Sequence, residues 1–279
     1  MPVVNTNINS IVAQNATNKS DRAMTKNMEK LSTGFRINKS GDDAAGLAVS
    51  TKMTAQIRGT NQAGRNISDA IALVQTADGA AKEISSIMQR MRELAVQGAT
   101  ETYSTDDLAL MDTEYQQLES EITRIVTQTK WNKMELLDGS GGSGGAGAFI
   151  IQVGSDNAQS MTVSIGNLDV AAGSLGCLSG LDVSTQSNAS AAITNIDGAF
   201  QNLATIRADY GSYMNRLSHS LNNAEVFSAN MADSNSRLMD TDYAKEMTEF
   251  AKSQIVRQAG MAMLSQANAI PNQVLQLLQ

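Results

Sequence analysis

The sequence predicts a mainly α-helical protein: long antiparallel helices in a coiled-coil-like bundle, a small β-hairpin region, and helices at the two ends that pair. Three observations predict it. Apolar residues recur at alternating steps of three and four through most of the chain, the stripe of a helix that faces other helices. Only two short runs carry strand character, and they lie together after a Gly/Ser stretch. Aromatic residues are 4% and prolines number 2, too few for an aromatic-rich sandwich core or a proline-rich linker.

Each element follows from its residues. The first stripe runs Ile67, Ile71, Val74, Ala77, Ala81, Ile84, Met88, Met91, Ala95. Gly98 and the Thr-rich segment after it interrupt the helix, and Ser104 or Thr105 ahead of Asp106-Asp107 caps the next. That helix carries Leu108, Met111, Tyr115, Leu118, Ile122 and Ile125, ends near Lys130, and gives way to an irregular segment up to Leu137. Gly139–Gly147 punctuates the chain. Phe149–Val153 and Met161–Ile165 read as strands, and Gly154, Asp156 and Asn157 supply turn chemistry between them. Asp169–Ser190 is small and polar, a loop or the stub of an insertion. A third stripe starts at Ile193 and runs through Ile196, Phe200, Leu203, Tyr210, Met214, Leu217, Leu221, Ala224 and Met231 to Leu238. At about 1.5 Å per residue such a helix is roughly 70 Å long and has to lie against others.

Composition excludes several function classes. The 21 Lys and Arg against 28 Asp and Glu leave a net charge of -7, the wrong sign for a nucleic-acid or anionic-membrane surface. One Cys and one His cannot make a Cys/His zinc site or an internal disulfide. No metal or cofactor is expected, and a hydrolytic triad would have to rest on His219 alone, which reads as a solvated or interface residue. Asp42-Asp43 reads as the acidic start of a helix. Membrane insertion is not expected, because no stretch of about 18 apolar residues exists, nor does a Sec-type signal with its apolar core of roughly 7–15 residues.

The two ends differ from the middle. Val4, Ile8 and Ile11 are followed by Asn15 where an apolar residue is due, with Met28, Leu31 and Phe35 further on. Near the other end the spacing is Ile255, Ala259, Met263, Ala267, Ile270, Val274, Leu278. Neither end alone buries enough to offset its ordering entropy. Such helices associate, most simply with each other and with neighbouring copies.

These residues also carry a resemblance. Asn5-Thr6-Asn7, Leu31-Ser32-Thr33-Gly34-Phe35-Arg36-Ile37-Asn38, Asp42-Asp43-Ala44-Ala45-Gly46-Leu47-Ala48, Asn66–Ala70, Gln89–Gln97 and Val274–Leu278 resemble the bacterial flagellins, in the right order and over roughly residues 1–165 and 190–279. The chain looks like a short version without the large central outer domains. Trp131 stands where the family commonly has Phe.

The resemblance implies a structural, non-enzymatic subunit of the extracellular flagellar filament, exported through the type III apparatus without a cleaved signal. It implies pairing of the terminal helices in an inner core, so that residues 1–41 and 241–279 form the inner-core domain. Residues 42–165 and 191–240 form the shell, and 166–190 a small Gly/Ser-rich loop or insertion stub. Ile8, Ile11, Leu31, Phe35, Ile255, Ile270, Val274, Leu275 and Leu278 are the expected assembly residues. The implied partners are the chain itself in a helical homopolymer, an export chaperone, cap and junction proteins, and Toll-like receptor 5 in animal hosts. The expected receptor positions are Gln89, Arg90, Leu94 and Glu114, with Leu94 one position off the core stripe. The alternatives are a hook–filament junction protein and a secreted helical binding protein that does not polymerise.

Overall fold

Every long stripe becomes a helix. The computed structural model describes residues 6–142, 145, 147–171 and 173–276, with side chains up to Ala269. The helices are α1 (Ile8–Thr33), α2 (Ala44–Gly98), α3 (Thr105–Gln128), α4 (Gln186–Met239) and α5 (Tyr243–Gln276). Two antiparallel hairpins stand between α3 and α4: β1 (Lys130–Trp131) with β2 (Met134–Glu135), and β3 (Ala148–Gln152) with β4 (Ser160–Ser164). The chain divides into two compact units, Met1–Ala55 with Asn230–Gln279, and Gln56–Ala229, so the division falls inside α2 and α4.

In the larger unit the predicted stripes form the core. Ile67, Val74, Ala77, Ala81, Ile84, Met88, Met91 and Ala95 of α2 are buried, as are Leu108, Tyr115 and Ile122 of α3. On α4 the buried positions Ile196, Leu203, Tyr210, Leu217 and Ala224 fall one heptad apart. The buried face of α2 is wider than its stripe, because Ala70, Leu73 and Leu94 join the same core. Salt bridges and a hydrogen bond set α2 antiparallel to α4: Arg92 to Asp197 at 2.7 Å, Asp78 to Arg207 at 2.9 Å, and Ser228 Oγ donating to Asn61 Oδ1 at 2.7 Å. Ser104 caps α3 in a reciprocal pair with Asp107, and the Ser104 hydroxyl holds the Asp107 carboxyl below its ordinary range.

Three segments differ from the sequence reading. The expected irregular stretch after α3 is a tight hairpin, with Asn132 and Lys133 at φ 46° and 68°, the left-handed pair that a two-residue turn requires. The chain after β4 is not bare loop: Val170, Leu175, Leu178 and Val183 are buried in the core. Asp112 and Gln116 of α3 hold this segment, Asp112 Oδ1 accepting from Val183 N at 2.9 Å and Gln116 Nε2 donating to Leu181 O at 2.8 Å. Lastly, α2 and α4 begin well ahead of their apolar stripes, since Gly and Ser positions are helical where neighbouring chain supports them.

The smaller unit has a corner that explains several of the sequence motifs. Gly34 ends α1 in the left-handed conformation, φ 76°, its N–H donating to Lys30 O at 2.9 Å. Phe35 then bridges Asp240 antiparallel, with Arg36 N donating to Met239 O at 2.6 Å and Thr241 N to Gly34 O at 2.9 Å. The Arg36 guanidinium reaches Leu238 O at 2.7 Å, close to the C-terminal end of α4. Ile37 is buried. Asp43 Oδ1 accepts from Gly46 N at 2.9 Å and so caps α2, while Asp42 pairs with Lys26 at 2.7 Å. The adjacent carboxylates are therefore turn and cap groups.

The core of the larger unit makes two stability expectations. The Tyr115 hydroxyl is fully buried with no hydrogen-bond partner among the described residues, and burial pushes its pKa up. Tyr115→Phe is expected to leave the unassembled chain as stable or about 1 kcal/mol more so in denaturant titration. A clear loss of stability would mean that the hydroxyl has a partner. Leu94→Ala is expected to cost about 2–5 kcal/mol, as a core truncation; a change too small to measure would place Leu94 on the surface.

Candidate functional site

The smaller unit is built around a seam with few large apolar residues. On α1 the positions that turn inward are Ser10, Ala13, Thr17, Ser20, Met24, Asn27 and Leu31; on α5 they are Glu246, Phe250, Ser253, Gly260, Leu264 and Ala267. The α1 set steps by three and four and the α5 set by three, four and, from Ser253 to Gly260, seven, so this is a heptad seam. Its residues are mostly small or polar, which lets the backbones approach. Along it α1 and α5 repeatedly bring their Cα atoms within 8 Å of each other. Gly260 shows why size matters, since a Cβ there would sit 2.8 Å from the Thr17 hydroxyl.

Polar bonds set the register of this antiparallel pair. Asn7 Nδ2 donates to Ala267 O at 2.7 Å and Ser10 Oγ to Asn268 Oδ1 at 2.7 Å at one end. In the middle Ser20 Oγ donates to Ser253 O at 3.0 Å. At the other end Lys30 pairs with Glu246 at 3.0 Å, largely shielded from solvent, and the Tyr243 hydroxyl donates to Leu31 O at 3.2 Å.

With mostly small residues inside, most of the large apolar side chains point outward, while Met24, Leu31, Phe250 and Leu264 stay half-buried on the seam. Ile8, Ile11, Val12 and Met28 of α1 are exposed, as are Met247, Ile255, Val256, Met261 and Met263 of α5, with Ile255 at 66% of its full accessibility. Phe35 is exposed too, whereas Leu31 is half-buried on the seam. An open groove of about 540 Å³ runs beside the seam, lined by Val12, Ala16, Val256, Ala259 and Met263 among others. The side chains of Ile270, Val274 and Leu275, and all of Leu278, lie outside the described residues. The apolar repeats at the ends thus belong, in the main, to a face opposite or beside the seam. Val12, Met28, Met247, Val256 and Met261 were not singled out from the sequence as assembly residues. For Val12 and Met261 the legible signal is the small seam residue next to each, Ala13 and Gly260.

The expected receptor positions lie in the larger unit. Arg90 of α2 reaches Glu114 of α3, Nε donating to Oε1 at 2.9 Å, and also pairs with Glu93 at 3.1 Å. Arg90 and Glu114 are about half exposed, and Glu93 and Gln89 are exposed. The two carboxylates, Glu114 foremost, hold the guanidinium pKa above its ordinary value. Leu94 departs from its expectation. It is 2% exposed and part of the core, because the chain covers α2 on more than the one face its stripe marks. His219 is exposed. Among the described residues no three His, Cys, Asp or Glu side chains gather as a metal site, and no helix is long and apolar enough to cross a membrane.

Comparison with known proteins places these features in a family. Residues 4–141 match the bacterial flagellin N-terminal helical region, and residues 193–278 match the bacterial flagellin C-terminal helical region. A flagellin of Halalkalibacterium halodurans is 45% identical over 91% of this chain and 91% of its own length. The flagellin of Bacillus subtilis is 39% identical over 99% of each. A flagellar filament 31.3 kDa core protein of Treponema maltophilum is 38% identical over 99% of this chain and all of its own length, 100%. The crystal structure of Bacillus cereus flagellin is similar over 57% of this chain and 88% of that one, at 35% identity and a TM-score of 0.51. A flagellar hook-associated protein from Vibrio parahaemolyticus has a TM-score of 0.59 over 71% of this chain and 100% of its own at 13% identity, a likeness of fold alone. With both the N-terminal and the C-terminal helical regions matched, and relatives aligned over nearly their whole length, the chain belongs to the bacterial flagellin family.

Proposed function

We propose that this chain is the structural subunit of an extracellular flagellar filament, and that copies of it assemble through the outer faces of α1 and α5. One observation carries the reading: most of the large apolar side chains of the two terminal helices, nine of them exposed, are turned away from their shared seam. A cluster of exposed Ile, Val and Met on adjoining helices is costly in water. A second copy is the occupant of matching chemistry, because a helical homopolymer repeats one contact many times. Several relatives are filament proteins by name, among them the Treponema maltophilum core protein. The pair's own stability is low for the same reason, its seam being small and polar, so subunit addition supplies the burial that the monomer lacks. Passage through the type III export route fits such weakly held ends, with a chaperone before export and cap and junction proteins at the filament. The mechanism is multiplied packing with no chemical step.

Recognition of the monomer by Toll-like receptor 5 is the finer part of this reading. Gln89, Arg90 and Glu114 would form the contact, with the Arg90 fork held toward solvent by its two carboxylates. Leu94 would act from beneath, as the core residue on which that stretch of α2 rests.

Two experiments test these readings. Ile11→Asp and Ile255→Asp are each expected to slow seeded filament elongation about tenfold or more, because a charge enters an apolar contact, while the helical signal of the chain stays unchanged. Normal elongation by both variants would remove the outer faces from the assembly contact. Arg90→Ala is expected to lower receptor-dependent signalling by the monomer with little change in thermal stability, since an exposed ion pair contributes little to folding. Full signalling would remove the receptor role of this cluster.

A further inference from the structure

We propose that Met28, Met247, Met261 and Met263 make the terminal helix pair oxidation-sensitive, so that a hydroperoxide converts the chain from an assembling to a non-assembling form. This inference rests on the assembly reading above. The chain has 15 methionines, and their placement is uneven. Met88 and Met91 are fully buried in the core of the larger unit, and Met161 nearly so. The four proposed residues are 50–65% exposed, all on α1 and α5 and all outside the seam. Met247 and Met261 fall two heptads apart on α5, and Met263 lies beside the groove with Val12 and Val256. Met134, on the β1–β2 hairpin, is also exposed and serves as a reference away from this surface.

The chemistry is that of a thioether. Its sulfur donates a lone pair to one oxygen of hydrogen peroxide, the O–O bond breaks, and the sulfur-bound hydroxyl passes its proton to the departing hydroxide. The products are a sulfoxide and water, with sulfur oxidised by two electrons and the peroxide reduced by two. A flexible apolar side chain becomes a polar one with a strong acceptor oxygen. On a surface whose affinity comes from burying Ile, Val and Met, each sulfoxide adds a polar group with no partner to meet it. The buried methionines of the larger unit are shielded, so its fold outlasts the loss of the contact. Thiol-dependent methionine sulfoxide reductases reverse the step.

The test uses the full chain as dissociated monomer, exposed to hydrogen peroxide and then added to filament seeds, with peptide mass mapping of every methionine. Met28, Met247, Met261 and Met263 are expected to gain oxygen about tenfold faster than Met88 and Met91. Elongation by the oxidised chain is expected to fall about tenfold, and treatment with the two sulfoxide reductases to restore it. The variant M28L/M247L/M261L/M263L, which keeps volume and apolarity, is expected to elongate equally well before and after peroxide. In finished filaments the four sulfurs are expected to oxidise about tenfold more slowly than in monomer, because neighbours cover them. Unchanged elongation with all four oxidised would overturn the inference, as would equal loss in the leucine variant, or no recovery on reduction. Those failures are distinct from failure of the assembly reading, which would appear as untreated chain that adds to no seed and would take this inference with it.

Discussion

The structure depends on which stripe of a heptad each helix turns toward its partner. A helix of alternating three and four steps can close on another with large apolar residues, and the contact then carries much of the folding free energy. It can instead close with small residues, and then the backbones draw near while the large side chains are left outside. This chain does both. In the larger unit the Ile, Met, Leu and Tyr positions of α2, α3 and α4 meet in one core. In the smaller unit Ser20 and Thr17 meet Ser253 and Gly260 across the α1–α5 seam.

That choice divides the work between folding and association. Burial of apolar side chains is non-directional and scales with area, so a core that keeps its apolar groups folds by itself. A seam of hydroxyls, glycine and alanine yields close packing and hydrogen bonds of modest net value. It sets register without committing the apolar surface. The Asn7–Ala267, Ser20–Ser253 and Lys30–Glu246 contacts fix how α1 and α5 are aligned, and through that alignment they fix where Ile8, Ile11, Ile255 and Met263 stand. The polar studding of the ends is thus the device that aims an apolar surface outward.

The corner formed by residues 34–43 and 238–241 serves the same end within a few residues of chain. Gly34 reverses the chain after α1, Arg36 meets the last turn of α4, and Asp43 opens α2. Each residue of these motifs answers a backbone requirement: a left-handed residue, free carbonyls at a helix end, or free N–H groups at a helix start. The motifs thus have a backbone role that involves no catalytic step.

Much of this was legible in the residues. Periodicity located the cores of all five helices, because a 3.6-residue repeat must present one face to something apolar. Turn and cap chemistry located the start of α3 and the β3–β4 hairpin, since those are local decisions. What the tertiary structure alone decided was the other side of each element. Leu94 sits off its stripe and is buried, and Val170, Leu175, Leu178 and Val183 sit in a loop-like sequence and are buried, because other segments cover them. At the ends the residues announced amphipathic helices but not which face turns inward, since the small residues Ser10, Thr17 and Ser20 share one period with the apolar stripe. Close backbone approach, a property of two helices together, settled that question in favour of the small residues.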